Sequence, residues 1–281
     1  MITYPKLRSV TFVCIVTISL ALNSCEDSTP VGQKPNVFFS YTLGNETIYS
    51  RQDVMSNIDR PTLTGIIWLV SDFRSIYITG GDSAATGEFD GTDNDAFATF
   101  RQHVTSIGLS IGDIRLNNGL LQEDEAAGAY YYRHSASDSL DLLFGGGANR
   151  IVTNTSAALP SFDATIPFSA PVRMNGVARN QSISRNQSLT LTWNGSGNSY
   201  AEINISRKNV ALDSTSLTGL LYITDDDGSF TLPTDIMQEL STGLTDISVR
   251  RTEPKYITLS DNRKVCFLGQ SKHTVTVNII D

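Results

Sequence analysis

The sequence predicts a mainly β protein built as two antiparallel β units, the second a sandwich with one short helix. Three observations predict it. Ser and Thr make up about a fifth of the 281 residues while Lys is scarce, a mix that suits strands and turns better than helices. β-Branched and aromatic residues gather in short runs of period two. Breaks rich in Gly, Asn and Asp separate those runs at hairpin spacing. With 40% hydrophobic and 18% charged side chains, the composition argues against a disordered, collagen-like or coiled-coil chain. The 21 Lys+Arg against 29 Asp+Glu give a formal net charge of −8, which argues against nucleic acid as a partner, because phosphate binding needs clustered cations.

The chain opens with Lys6 and Arg8, followed by an uncharged, largely apolar run from Val10 to Leu22. Its 13 residues are too few to span a bilayer of about 30 Å at 1.5 Å per residue. The run therefore reads as the apolar region of a secretory signal. It ends in Leu22-Asn23-Ser24-Cys25: an apolar residue, two more with a small one last, then Cys. This order and spacing resembles the lipobox of bacterial lipoproteins. The resemblance implies cleavage before Cys25, diacylglycerol on the Cys25 sulfur and an acyl group on the new amino terminus. Residues 1–24 are then a signal peptide and Cys25 is the lipid attachment site, so the membrane becomes a partner through lipid.

Cleavage at that point leaves 257 residues and, with Lys6 and Arg8 gone, 19 cations against 29 anions, a formal −10. Cys14 departs with the signal and Cys25 carries lipid, so Cys266 is the one thiol left and no intramolecular disulfide can form. Stability must come from the core, and a chain of this length buries about 70–75% of its unfolded surface without a covalent staple. Cys266 lies in the apolar run Val265-Cys-Phe-Leu268 and reads as a buried small hydrophobe. Residues 25–35, polar and with two prolines, form a tether. Glu26-Asp27 directly after the lipidated Cys resembles the surface-display signal of Bacteroidota lipoproteins. That implies an outer-membrane protein on the cell surface, with attachment on the periplasmic face as the alternative.

Residues 36–160 form the first β unit. Gly65 to Ser71, Arg74 to Thr79, Ala129 to Tyr132, Asp138 to Phe144 and Asn149 to Thr153 read as strands, punctuated at Gly80-Gly81, Asn117-Asn118-Gly119 and Gly145-Gly146-Gly147. Ala96 to Ser106 fits a short helix or a further strand. Residues 161–281 form the second unit. Ser188 to Trp193 and Tyr200 to Ser206 alternate cleanly, and Leu217 to Thr224, Asp246 to Arg250 and Lys272 to Ile280 supply further strands. Pro233 to Leu240 reads as a helix: Pro233 suits a position that needs no donor, Asp235 the positive end of the dipole, and Gly243 lies just past the end. Leu191-Thr192-Trp193 on an early strand, with Leu240 to Val249 entering a late one, resembles immunoglobulin-like and fibronectin type III-like sandwiches. The expected boundary lies in the Ser/Ala-rich stretch around Thr155 to Thr165.

Candidate chemistry is sparse. His103, His134 and His273 are far apart, without zinc-ligand spacing, and no Gly-x-Ser-x-Gly elbow occurs, so the sequence assigns no catalytic residue, no metal and no cofactor. Gly145 to Gly147 precedes a strand, not a Gly-Lys-Ser/Thr and helix, and reads as a hairpin turn instead of a phosphate loop. Asp90-Gly-Thr-Asp93-Asn-Asp95 and Asp225-Asp-Asp227-Gly-Ser229 concentrate carboxylates in turns; neither has the spacing of a calcium loop, so turns are expected over calcium sites. Tyr130-Tyr131-Tyr132, placed on a strand, offers either core packing or an aromatic surface for a sugar or protein. The expectation is a lipid-anchored envelope protein that is not an enzyme and binds a protein or glycan or serves structurally. A surface-displayed hydrolase is the alternative, and it would show a deep pocket joining one His with Asp and Ser.

Overall fold

A single long hairpin near the C-terminus organises the molecule. In the computed structural model, β16 (Gly243–Thr258) and β17 (Lys264–Ile280) pair antiparallel from Gly243↔Ile279 to Thr258↔Lys264. The structure describes residues 40–49, 63–78, 87–101, 108–117, 119–126, 129–134, 141–154, 156–197, 199–208 and 219–281. β17 is rich in Val, Ile and Thr, and its period of two sends alternate side chains to opposite faces. On one face Val265 and Phe267 enter one hydrophobic core, while Val275, Val277 and Ile279 enter another. One strand therefore serves both cores.

The first core lies within a curled sheet. β3 (Leu63–Ile78) joins β17 in parallel, with Lys264 to Val275 beside Leu63 to Ser75, and β4 (Gly87–Phe100) pairs antiparallel with β3. The order continues through β7 (Ala129–His134), β6 (Gly119–Ala126), β5 (Ile114–Leu116), β8 (Ala148–Thr153) and β9 (Asp163–Pro167). Ile67, Phe100, Ile114, Leu121, Ile151, Ile166 and Phe267, from strands spread along this order, all meet in one cluster. Leu259, just beyond β16, joins them. The sheet thus curls until its ends share a core, in the manner of a partly open barrel.

The second core lies between two sheets, as a sandwich requires. A small sheet of β10 (Met174–Asn175), β12 (Leu189–Trp193) and β15 (Ser229–Leu232) faces β13 (Tyr200–Arg207), β16 and β17, with β14 (Gly219–Asp225) at the edge. Leu191, Trp193 and Phe230 from the small sheet pack with Ile203, Val249 and Val277 from the large one. β11 (Ser182–Ser184) pairs in parallel with Asn278 to Ile280. The helix, α1 (Thr234–Glu239), starts after Pro233, with Asp235 in its first turn and Met237 buried in the sandwich core. The hairpin of β1 (Ser40–Leu43) and β2 (Glu46–Tyr49) closes the side of the sandwich: Ile48 sits in its core, and Glu46 Oε1 accepts from Thr231 N at 2.8 Å.

The expected class holds: the described chain is mainly β with a C-terminal sandwich and one short helix. Several particulars differ. The runs that begin at Gly65 and Arg74 are one continuous strand, β3, as far as Ile78; Thr79 lies outside the described residues. Ala96 lies in a strand, β4. Residues 141–144 carry no ladder; instead the buried Asn149 amide accepts from Leu143 N at 2.9 Å and donates to Leu143 O at 2.8 Å, satisfying a backbone that lacks a strand partner. Gly145 and Gly146 form a bend leading into β8, with φ of +73° and +111° that favour glycine. Thr155 lies outside the described residues, and 156–165 is not where the chain passes between the cores. Leu159, Ala164 and Ile166 belong to the first core, and the passage follows at 168–174.

Candidate functional site

The passage is fastened by side chains of the long hairpin. Ile247 and Val249 point into the sandwich, and the same period carries Arg251 and Glu253 inward, both at most 7% exposed. Buried charges require partners, and here they have them. Glu253 accepts from Ser169 N at 2.9 Å and from the Ser169 hydroxyl. On β17, Ser271 Oγ accepts from Val172 N at 3.1 Å and His273 Nδ1 accepts from Met174 N at 2.7 Å. Phe168 lies over Gly269, where any Cβ would overlap its ring. The passage is thereby laid as a strap along one face of the hairpin.

Arg251 forms the centre of this arrangement. Its Nη1 donates to Ala170 O at 2.6 Å and its Nη2 to Asn194 O, while Nε pairs with Asp226 Oδ2. Asp226 is fully buried in the turn between β14 and β15. Its Oδ1 accepts from Trp193 Nε1 at 2.6 Å, and its Oδ2 from the hydroxyls of Ser196 at 2.6 Å and Ser199 at 2.8 Å. Burial works to raise the Asp226 pKa, but the Arg251, Ser196 and Trp193 donors outweigh it and hold the carboxyl below its ordinary range. Gly228 permits the turn: its φ is +96°, and a Cβ there would meet Trp193 O.

The two neighbouring carboxylates point elsewhere. Asp225 Oδ1 accepts from the Tyr49 hydroxyl at 3.0 Å, and Asp227 Oδ1 accepts from Ser229 N at 3.1 Å. The expected turn is present, and the three acids share no partner among these bonds. The other acidic run is not a turn. Asp90, Asp93 and Asp95 lie within β4, opposite Ser75, Asp72 and Val70 of β3. Long-range pairing overrides the weak strand preference of Asp, Gly and Asn. Asp93 stands 3.7 Å from Arg74 Nη1, and Asp95 Oδ1 accepts from Ala96 N at 2.8 Å. Among the described residues, no group of three metal-ligating side chains gathers. Millimolar calcium should therefore leave the melting temperature within about 1 °C of its value in chelator. A bound site occupied at a hundred times Kd would add about 2.7 kcal/mol, a shift of several degrees.

His273 lies against the strap. Its Nδ1 accepts a hydrogen bond, so the imidazole is neutral with its proton on Nε2. Phe73 packs edge-on against it at 4.8 Å, with the Arg173 guanidinium 4.4 Å from the centre of the Phe73 ring. The backbone of His134 and of Tyr130 to Tyr132 lies in β7, while their side chains fall outside the described residues, as do His103, Cys14, the lipobox and Cys25. Cys266 is fully buried, and burial pushes its thiol up to about 12, which keeps it from acting as a thiolate near neutrality. Trp68 stacks on Phe97 at 4.8 Å on the opposite face of the sheet, with Phe97 37% exposed.

The strap and the Asp226–Arg251 pair escape a sequence reading focused on catalytic motifs. Their signal is nevertheless present: Ile247, Val249, Arg251 and Glu253 share one register, so a charged pair continues a buried apolar series.

No family model matches the chain, and no curated protein does. Among solved structures, the crystal structure of Dpr11 IG1 bound to DIP-gamma IG+IG2 is similar over 79% of this chain and 100% of that chain, at 10% identity and a TM-score of 0.20. At that TM-score the likeness adds nothing to the architecture read from the strands themselves.

Proposed function

We propose that this protein is a lipid-anchored module of the cell envelope, held in the outer membrane through Cys25 and displayed on the cell surface, that binds a protein or glycan without catalysis. The observation that supports binding over hydrolysis is the use made of the buried polar groups. His273, Glu253, Asp226 and Arg251 each hold backbone or a neighbouring side chain in place, so these four polar groups serve the fold. Display requires reach. Between Cys25 and Ser40, the first residue of β1, about 15 residues at up to roughly 3.5 Å each allow a tether of about 50 Å. Because β1 and β2 pack on the sandwich, that tether enters the folded part at the side of the sandwich.

The test uses the full-length protein in detergent micelles against arrays of surface glycans and extracellular proteins. Saturable retention of a ligand that is recovered chemically unchanged is the expected result. Hydrolysis of the retained ligand would replace this reading with the surface-displayed hydrolase.

A further inference from the structure

We propose that the outer face of the sheet at Lys272 and Thr274 holds the carboxylate of an acidic sugar, and that the ligand is a glycan carrying such units. This rests on the binding-module reading and specifies the chemistry of the ligand and where its charge is held.

β17 sends alternate side chains to opposite faces, so with His273 and Val275 directed inward, Lys272 and Thr274 lie on the outer face. In register across the sheet, Lys272 stands between Arg250 of β16 and Asp72 of β3, and Thr274 between Ser248 and Arg74. Both groups lack a partner among the described residues. Lys272 is half-buried, yet the acids around it pair elsewhere. Glu202 pairs with Arg250 at 3.3 Å, Asp246 with Lys208 at 3.3 Å, and Asp72 and Asp93 with Arg74 at 3.7 Å each. Burial pushes the Lys272 ammonium down; Asp72 and Asp246 only partly offset this, and Arg250 and Arg74 add to it. Thr274 is 8% exposed, and its Oγ1 is buried with no hydrogen-bond partner. A buried hydroxyl left unpaired is costly, and here the described chain supplies nothing to pair it.

The two orphaned groups stand two residues apart on one strand, roughly 7 Å between their Cα atoms, and both can donate. A carboxylate brings two oxygens, one for each, and a single negative charge for the single cation left without a partner. Asp72, Glu202 and Asp246 close by would repel a second charge, which disfavours a phosphate dianion. Farther along the same face Trp68 stacks on Phe97. Trp68 is in register with Leu268, so about four residues of strand, roughly 13 Å, separate the aromatic pair from Lys272. Gln270 and Thr252 lie between, joined at 3.3 Å. Rings followed by amide and hydroxyl groups suit sugar units, which are apolar on their C–H faces and polar at their rims. The span exceeds one sugar ring, so the matching ligand is an oligosaccharide.

The probe is tetragalacturonate, titrated by calorimetry into the full-length protein in micelles. Two comparison ligands accompany it: its fully methyl-esterified form, which keeps the sugars and removes the charge, and acetyl-Gly-Glu-Gly-amide, which keeps a carboxylate and removes the sugars. Saturable binding of tetragalacturonate is expected, weakened at least tenfold by esterification and by Lys272→Met, and about fivefold by Thr274→Val. Without ligand neither variant should melt below the parent, because each removes a polar group that the described chain leaves unpaired. The ester makes the same test on the parent protein, whatever the variants do. No saturable binding of tetragalacturonate would overturn the proposal, as would equal affinity for its ester or in Lys272→Met. Peptide binding as tight as that of the sugar, and equally dependent on Lys272, would assign the site to a protein partner and also overturn it. A ligand retained on the arrays with the same affinity in Lys272→Met would remove this site while leaving the binding module in place.

Discussion

Asp226→Ala should destabilise the protein by about 3–5 kcal/mol, the range for removing one partner of a buried ion pair and leaving the other uncompensated. For a chain of this length that lowers the melting temperature by roughly 6–20 °C. The loss reaches beyond the pair itself, because Asp226 also accepts from Trp193, Ser196 and Ser199 and fixes the guanidinium that holds Ala170 O in the strap. The same site carries a pH dependence of defined sign. The Asp226 pKa is lowered in the folded state, so its contribution is complete above the unfolded value of about 3.9 and is lost as pH falls through the lower folded value. Denaturant titrations between pH 5 and pH 2 should show a shallower loss of stability with acid in Asp226→Asn than in the parent. A cost below about 1 kcal/mol for Asp226→Ala, with an unaltered acid slope, would show that the pair is not what fastens the strap.

Phe267→Ala should cost about 3–5 kcal/mol and lower the melting temperature by a comparable amount. Phe267 is fully buried in the first core, edge-to-face with Phe162 at 6.2 Å. Its strand continues ten residues on to Val277 in the other core, and the strap ties the two together. Damage in one core should therefore appear in both. In a Trp68→Phe background, the fluorescence of Trp193, buried in the sandwich, should change at the same lowered temperature as the circular dichroism of the strands. A Trp193 transition that stays at its original temperature while the rest melts early would mean that the cores unfold separately.

How much of this was legible follows from where each pairing partner lies. β12 and β13 could be read directly because one face of each is buried, so Leu189, Leu191 and Trp193 alternate with exposed Thr190 and Thr192. The helix was legible from its punctuation, Pro233 before it and Gly243 after it. β4 was not, since Asp-Gly-Thr-Asp-Asn-Asp carries the composition of a turn and becomes a strand only through its pairing with β3. The parallel β3–β17 seam joins residues some two hundred positions apart, and nothing local announces it. At the candidate site, a search for spaced ligands and nucleophiles passes over acids and a histidine whose role is to hold backbone.

The most direct test of the account is the chemical state of Cys25. One lipid chain gives marginal attachment, whereas two or more hold a protein firmly. Intact mass and detergent-phase partition should be measured on the full-length protein expressed in a Gram-negative host, alongside Cys25→Ser. The account predicts a chain that begins at Cys25, carries diacylglycerol and an amino-terminal acyl group, and partitions into the detergent phase, with Cys25→Ser moving to the aqueous phase. A parent protein recovered in the aqueous phase with an unmodified Cys25 would contradict it.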